Sequence, residues 1–271
     1  MDPTKPIVTR YLDGRISQES DELACEEPLE IRVRGRAISV TMRTPGHDQE
    51  LAAGFLVSEG LIRARGDIAK IEPCDRNEDG NLLNVVLAPE VPVDFEQLTR
   101  HVFASSSCGL CGKATIESVQ KTFPPIESKM QIDAATILAL PAKMRQQQET
   151  FGRTGGLHAA ALFDAAGNLL ALREDVGRHN AVDKILGYAL LNDLWPLDRH
   201  ILMVSGRSSF EIMQKALAGR LPIVAAVSAP SSLAVEFAQE SGQTLVGFLR
   251  ERRMNVYSHP ERILFTLDPT T

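Results

Sequence analysis

Apolar residues in the first part of this chain come in short β-rich runs, and in the second part strand and helix periods alternate. Residues 29–33 and 37–43 are two such runs joined across Arg34-Gly35-Arg36, a hairpin signal. The period then lengthens: Leu51, Ala52, Phe55 and Leu56 share one face of a helix predicted over 48–59, with Gly60 as its stop. Residues 68–72 and 82–88 read as strands around the polar turn 77–81. The pattern breaks at 103–113, where small residues with little to bury predict a mobile loop. Pro124-Pro125 mark a boundary before a helix predicted over 133–149.

The second part is more regular. Strands at 159–163 and 169–173 flank Gly167-Asn168, a second hairpin signal. A helix over 179–192 places Val182, Ile185, Leu186, Ala189 and Leu190 on one stripe. Strand 201–204, helix 210–218, strand 223–227, helix 233–240 and strand 244–248 then alternate, with Gly219 and Gly242 closing the two helices. Such alternation predicts parallel strands with right-handed crossovers. The reading is an α/β protein: a small α+β part over 1–102, a flexible loop and linker over 103–132, and an α/β part over 133–271.

Composition narrows the function classes. With 44% hydrophobic residues the chain can build a real core. A net charge of −6 argues against coating a nucleic acid, although a local arginine cluster can still hold a small anion. The N-terminal ten residues hold two prolines and no apolar run, and apolar stretches such as 223–229 are strand-length, so neither a signal peptide nor a membrane span is expected. Four scattered cysteines do not make a disulfide framework, so the expected compartment is a reducing cytoplasm.

Candidate chemistry falls in two places. The first is Cys108-Gly109-Leu110-Cys111-Gly112. A zinc site needs about four ligands, and Cys25 and Cys74 stand isolated as packing residues. A thioredoxin-like site places its first cysteine after a strand at a helix start, whereas serines precede Cys108. A sulfur carrier needs an accessible thiolate on a movable segment, which fits best, with Lys113 the nearest positive charge in sequence. The second place is a set of strand-end loops, Ser205-Gly206-Arg207-Ser208-Ser209 and Ser228-Ala229-Pro230-Ser231-Ser232, with Arg250-Glu251-Arg252-Arg253 running out of the third strand. On one edge they would cradle phosphate groups. Ser208 and Ser231 read equally as helix N-caps, Ser208 forming a capping box with Glu211, and the arginines as a solvated face. His158 and His179 are possible ligand or acid–base groups, and His179 shares a helical face with Asp183.

In order, the motifs Cys108-Gly109-Leu110-Cys111-Gly112, Thr154-Gly155-Gly156-Leu157-His158, Glu174 to Lys184, Ser205 to Glu211 and Ala226 to Val235 resemble the formate dehydrogenase accessory sulfurtransferases, the FdhD family. The resemblance implies a sulfurtransferase. It takes sulfur from a cysteine desulfurase as a persulfide and passes it to the molybdenum (or tungsten) cofactor, bis(molybdopterin guanine dinucleotide), before formate dehydrogenase receives that cofactor. The cofactor is bound transiently as substrate, and no permanently held metal is implied. The resemblance also implies a homodimer and, for the second part, a three-layer α/β/α fold like that of cytidine deaminases. Cys108 matches the persulfide-bearing cysteine and Cys111 its neighbour. Phe248, Leu249, Arg250, Glu251, Arg252 and Arg253 match the cofactor-binding stretch, beside which Arg207, Ser208 and Ser231 are the expected phosphate contacts. A zinc deaminase would want His-x-Glu, but Ala159 and Ala160 follow His158. A non-catalytic escort of the cofactor would use the same loops without the thiols.

Overall fold

A computed structural model describes residues 5–73, 80–93, 95 and 119–265. The chain opens with an antiparallel hairpin, β1 (Ile7–Leu12) and β2 (Arg15–Ser20), which stands in solvent. Its turn, Asp13-Gly14, has positive φ at both residues, the backbone an Asp-Gly hairpin turn requires and a signal that the strand reading missed. A four-stranded sheet follows in the order β4-β3-β6-β5. Here β3 (Glu27–Val33) and β4 (Arg36–Arg43) form the expected hairpin, β5 (Ile68–Pro73) pairs antiparallel with β6 (Leu82–Leu87), and β6 lies parallel to β3. Between the two pairs runs helix α1 (Asp48–Ser58), ending at Gly60 with φ 76°.

The second sheet has six strands in the order β13-β12-β11-β10-β8-β9. β10 (His200–Val204), β11 (Ile223–Ala226) and β12 (Thr244–Arg250) are parallel, as their alternation with α5 (Phe210–Ala218) and α6 (Ser232–Glu240) predicts. The hairpin β8 (His158–Asp164) and β9 (Leu169–Asp175) adds antiparallel to β10. On the other side, β13 (Arg253–Ser258) pairs antiparallel with β12. This corrects the expectation that 250–253 runs off the sheet: the chain turns back at Glu251-Arg252. A short pair, β7 (Ile132–Asp133) with β14 (Ile263–Leu264), ties the chain end to the start of α2 (Ala134–Gln147). The single helix expected over 133–149 breaks at Gln148, and a short α3 (Glu149–Thr154) follows.

Alternation along β8 divides the core. Ala159, Ala161 and Phe163 pack with Ile137, Leu140 and Met144 of α2 on one face. Ala160 and Leu162 face the helices of the other side, α4 (Arg178–Leu191), α5 and α6. The second part is therefore a three-layer α/β/α unit. Its inner helical layer also packs on the first part, because one apolar cluster runs from Leu29, Ile31 and Val33 through α1 and α4 to Val224 and Leu245. Nearly every α4 side chain from Asn180 to Leu190 is buried, as befits a helix enclosed on all sides. Among the described residues, no helix is long and apolar enough to cross a membrane.

α1 and α4 touch through glycines. A Cβ on Gly54 would lie 1.8 Å from the Asp183 carbonyl oxygen, and one on Gly187 1.8 Å from that of Glu50. Neither position tolerates a side chain, since at that distance two backbones must move apart. Buried charge reinforces the crossing. Lys215 of α5 donates to both Asp183 carboxylate oxygens, at 2.9 and 2.8 Å, and to Ser58 Oγ at 2.9 Å. Burial by itself depresses the Lys215 ammonium, but Asp183 and Glu59 outweigh it and hold the pKa above the ordinary lysine value. Lys184 reaches Asp175 at 2.7 Å and the Thr44 carbonyl at 2.8 Å, fixing the end of β4 to the end of β9.

Two outcomes follow. Gly54→Ala and Gly187→Ala should each destabilise the fold by about 3 kcal/mol or more in urea titrations, the upper range for overpacking; wild-type stability in either would refute the close crossing. The second outcome concerns acid. Burial pushes the Glu50 carboxyl up, but hydrogen bonds from Arg173 and His47 outweigh it and hold it below the ordinary range. Its stabilisation is therefore full above about pH 4.3 and lost as pH falls through the lower folded value. Glu50→Gln should flatten that part of the stability–pH curve, measured by chemical unfolding between pH 2 and 6 in steps of about one unit.

Candidate functional site

The carboxyl ends of β10, β11 and β12 lie side by side, the place where parallel α/β sheets collect ligands. Because β8 runs antiparallel, its first residue, His158, reaches the same edge and pairs with Asp175 at the end of β9. Ser205 fastens this corner: its N–H donates to the Ala159 carbonyl at 2.9 Å, and its Oγ accepts the Ala159 N–H at 2.8 Å. α4, α5 and α6 all begin here, so their first-turn N–H groups face one margin.

The structure brings together the three segments expected to form a cradle. Ser208 bridges to Pro230, its N–H donating to Ala229 at 3.3 Å while its carbonyl accepts from Ser231 at 3.0 Å. Phe248 donates its N–H to Ser228 at 3.1 Å, and the Arg250 guanidinium donates to the Val227 carbonyl. Close passage of β12 depends on Gly247, where a Cβ would lie 3.0 Å from Pro230 and from Tyr257.

Within this frame the individual residues part company. Ser231 caps α6, its Oγ accepting the Ala234 N–H at 3.3 Å. Ser208 does not cap α5. Its backbone is consumed by the bridge to residues 229–231, so the helix begins one residue later with Ser209 as N-cap. The Ser208 side chain is fully buried, and its Oγ has no partner among the described residues. Leu249 is fully buried in the α2-side core and contributes packing. Arg250, exposed like Arg207, Glu251, Arg252 and Arg253, donates to the Val227 and Leu249 carbonyls. Phe248 has φ 51°, in a register irregularity of β12, and the residue is 40% exposed. A left-handed aromatic residue is strained, and such strain concentrates at functional sites.

Around Gly206 the structure gathers His158 and His179, the two possible ligand or acid–base groups, with Arg178. A Cβ there would come 3.3 Å from His158 Nδ1 and 3.8 Å from Arg178 Cδ. Burial, then the charges of Arg178, His179 and Arg207, push the His158 pKa down, so its imidazole is neutral near pH 7. His179 Nε2 lies 3.0 Å from the Glu211 carboxylate and 3.3 Å from Ser209 Oγ. The hydrogen bond from His179 is the main cause holding Glu211 below the ordinary carboxylate range. Arg178 Nε is buried without a partner among the described residues. On the α2 side of the edge a cavity of about 520 Å³ opens, lined by Pro141, Met144, Phe151, Leu157, His158 and Ser205. Arg145 stacks on the Phe151 ring at 4.8 Å. The signal for this cluster was present in the paired motifs Gly-Gly-Leu-His and Gly-Arg-His, but their meeting is tertiary.

Cys108, Cys111, Lys113 and Cys74 lie outside the described residues. Cys25 is half-buried and donates to the Glu27 carboxylate at 3.5 Å. Burial and that neighbour raise its pKa, making it a poor thiolate.

A mixed six-stranded sheet with small hydroxylic loops at its carboxyl edge, joined to a second sheet across a shared helical layer, defines a two-sheet α/β protein. The FdhD/NarQ family model matches residues 24–264. The sulfur carrier protein FdhD of Mycolicibacterium paratuberculosis is 51% identical over 94% of this chain and 97% of its own length. That of Streptomyces coelicolor is 49% identical over 94% of each chain. A solved structure from Desulfotalea psychrophila, assigned as a formate dehydrogenase accessory protein, superposes with a TM-score of 0.78 at 27% identity, over 97% of this chain and 100% of that one. The chain belongs to the FdhD/NarQ family, among its sulfur carrier proteins.

Strain at Phe248 is open to measurement. Phe248→Gly should be more stable than Phe248→Ala by about 1 kcal/mol, because only alanine keeps the cost of a left-handed Cβ. Equal thermal midpoints would mean that the backbone relaxes out of that conformation.

Proposed function

We propose that this protein takes sulfur from a cysteine desulfurase as a persulfide on Cys108. It then passes the sulfur to bis(molybdopterin guanine dinucleotide) molybdenum cofactor held at the sheet edge, before that cofactor enters formate dehydrogenase. In loading, the Cys108 thiolate attacks the terminal sulfur of the donor persulfide and the donor thiolate leaves, so no outside oxidant is needed. An ordinary cysteine is only about 3% thiolate at pH 7, so Lys113 beside the pair would aid loading. Cys111 is the second thiol of the exchange.

The observation that carries the reading is the edge itself. Ser208 Oγ and Arg178 Nε are buried donors without partners among the described residues, at a margin where Gly206 and Gly247 let neighbouring segments pack close together. Arg207, next to Ser208 in the chain, is exposed, as are Arg252 and Arg253 where β12 turns into β13. A nucleotide diphosphate would satisfy such donors, with its base in the adjoining apolar cavity. The cofactor is substrate here, and the reading includes no resident metal. The working unit in this reading is a cytoplasmic homodimer, which would cover the apolar side chains of β1–β2, Ile7, Tyr11, Leu12 and Ile16, all 66–74% exposed.

Intact-mass analysis after incubation with a desulfurase and cysteine should show a reducible gain of one sulfur, absent in Cys108→Ala; sulfur found mainly on Cys25 or Cys74 would overturn the assignment. Calorimetric titration of GDP tests the edge. Arg252→Ala and Arg207→Ala should each weaken binding by roughly ten- to a hundredfold, the worth of an Arg–phosphate contact. Unchanged binding in both would make these arginines a solvated face.

A further inference from the structure

α4 and α5 are joined by two polar side-chain pairs with the same spacing. On α4, His179 and Asp183 are four residues apart; on α5, Glu211 and Lys215 are four residues apart. His179 meets Glu211 at 3.0 Å near the surface, and one turn deeper Asp183 meets Lys215 at 2.8 Å. The two rungs differ in surroundings. The inner one is nearly dry, with side chains 4% and 11% exposed, while the outer one is 32% and 45% exposed. Stability needs the inner rung, because breaking a buried pair leaves a lone charge in the core. An outer pair at this exposure contributes little to folding.

What the outer rung does control is position. His179 follows Arg178, whose buried Nε lacks a partner among the described residues. Glu211 and Ser209, both bonded to His179, follow Ser208, whose Oγ is in the same condition. The pair therefore locks the two helix starts that carry the two unpartnered donors, with Gly206 and His158 between them. We infer that His179 is a positioning residue for ligand binding, clasping the start of α4 to the start of α5 so that Arg178 and the 205–209 loop present their donors to one phosphate group. Besides Glu211, the charged or titratable groups around the clasp are Arg178, Arg207 and His158, with Asp175 behind His158. The Asp175 carboxylate is paired with Lys184 at 2.7 Å and Glu211 with His179, which leaves Arg178 and Arg207 as the cations an anion would meet.

The inference rests on the edge being the nucleotide site, so the experiment separates the two. GDP is titrated calorimetrically into the full chain and its variants, with thermal unfolding and desulfurase-dependent persulfide loading followed in parallel. His179→Ala should weaken GDP about tenfold, and Glu211→Ala should do the same. The double variant should be no worse than either single one, since the residues act as one unit. His179→Gln, whose amide can still donate to Glu211, should recover binding to within about threefold of wild type, a rescue that general damage to the fold would not give. Melting and persulfide loading should stay near wild type, held by the inner rung. If Arg252→Ala and Arg207→Ala weaken GDP but His179→Ala does not, the clasp is surface decoration and the inference is wrong while the edge survives. If wild type fails to bind GDP, the nucleotide reading of the edge fails, and the inference with it.

Discussion

Everything in this structure depends on two helix backbones touching. Gly54 and Gly187 let α1 and α4 approach until each glycine faces a carbonyl of the other helix, and no other residue type fits there. The contact puts a buried helical layer between two sheets, so the four-stranded sheet, α1 and the six-stranded sheet share one apolar cluster. The polar groups that would be stranded in that layer are paired at once. Asp183 takes Lys215 and Ser58, and Asp175 takes Lys184 together with the Thr44, Gly177 and Asn180 nitrogens. Each arrangement joins segments far apart in sequence, so the first part of the chain fixes the angle at which α4 leaves β9.

That angle matters because α4 begins at the carboxyl edge of the six-stranded sheet, the site proposed for the ligand. Asp175 ends β9, Arg178 opens α4, and Lys184 two turns on anchors both to Thr44. A rigid support behind polar loops keeps donors in place without help from the ligand. The edge itself departs from ideal structure where function would need it: Phe248 sits left-handed, β12 slips register between Gly247 and Arg250, and Ser208 and Arg178 keep unpartnered buried atoms. A chain selected only for stability would relax such features.

Much of this was legible before any coordinates. The hairpin across 34–36, the helix read over 48–59 and found at Asp48–Ser58, and the alternation from β10 to β12 follow from period and turn residues, because local burial on one face writes itself into the sequence. The meeting of the 205–209, 228–232 and 248–253 segments was readable for the same reason: parallel crossovers place strand ends together. Three readings fell short. The Asp13-Gly14 hairpin was passed over since its strands, exposed on both faces, carry no clear alternation. β13 was missed because a bulged antiparallel return reads as a charged tail. Ser208 reads as a cap in sequence because the bridge to residues 229–231 that occupies its backbone is tertiary.

By itself the sequence determined the family motifs, the alternating core and the residue types available for chemistry, Cys108 and the arginines among them, since these depend on side-chain identity and local spacing. Only the tertiary structure decided which of them can act together at the edge. Leu249 went to the core and Arg250 to backbone carbonyls. His158, Arg178, His179 and Glu211, from three separate motifs, were drawn around Gly206. That gathering depends on how α4 is held against α1 and α5, and the glycines and buried charges that hold it contact residues more than a hundred positions away, as Ser58 does with Asp183. No local pattern can encode such a contact, because its energy exists only once both partners are packed.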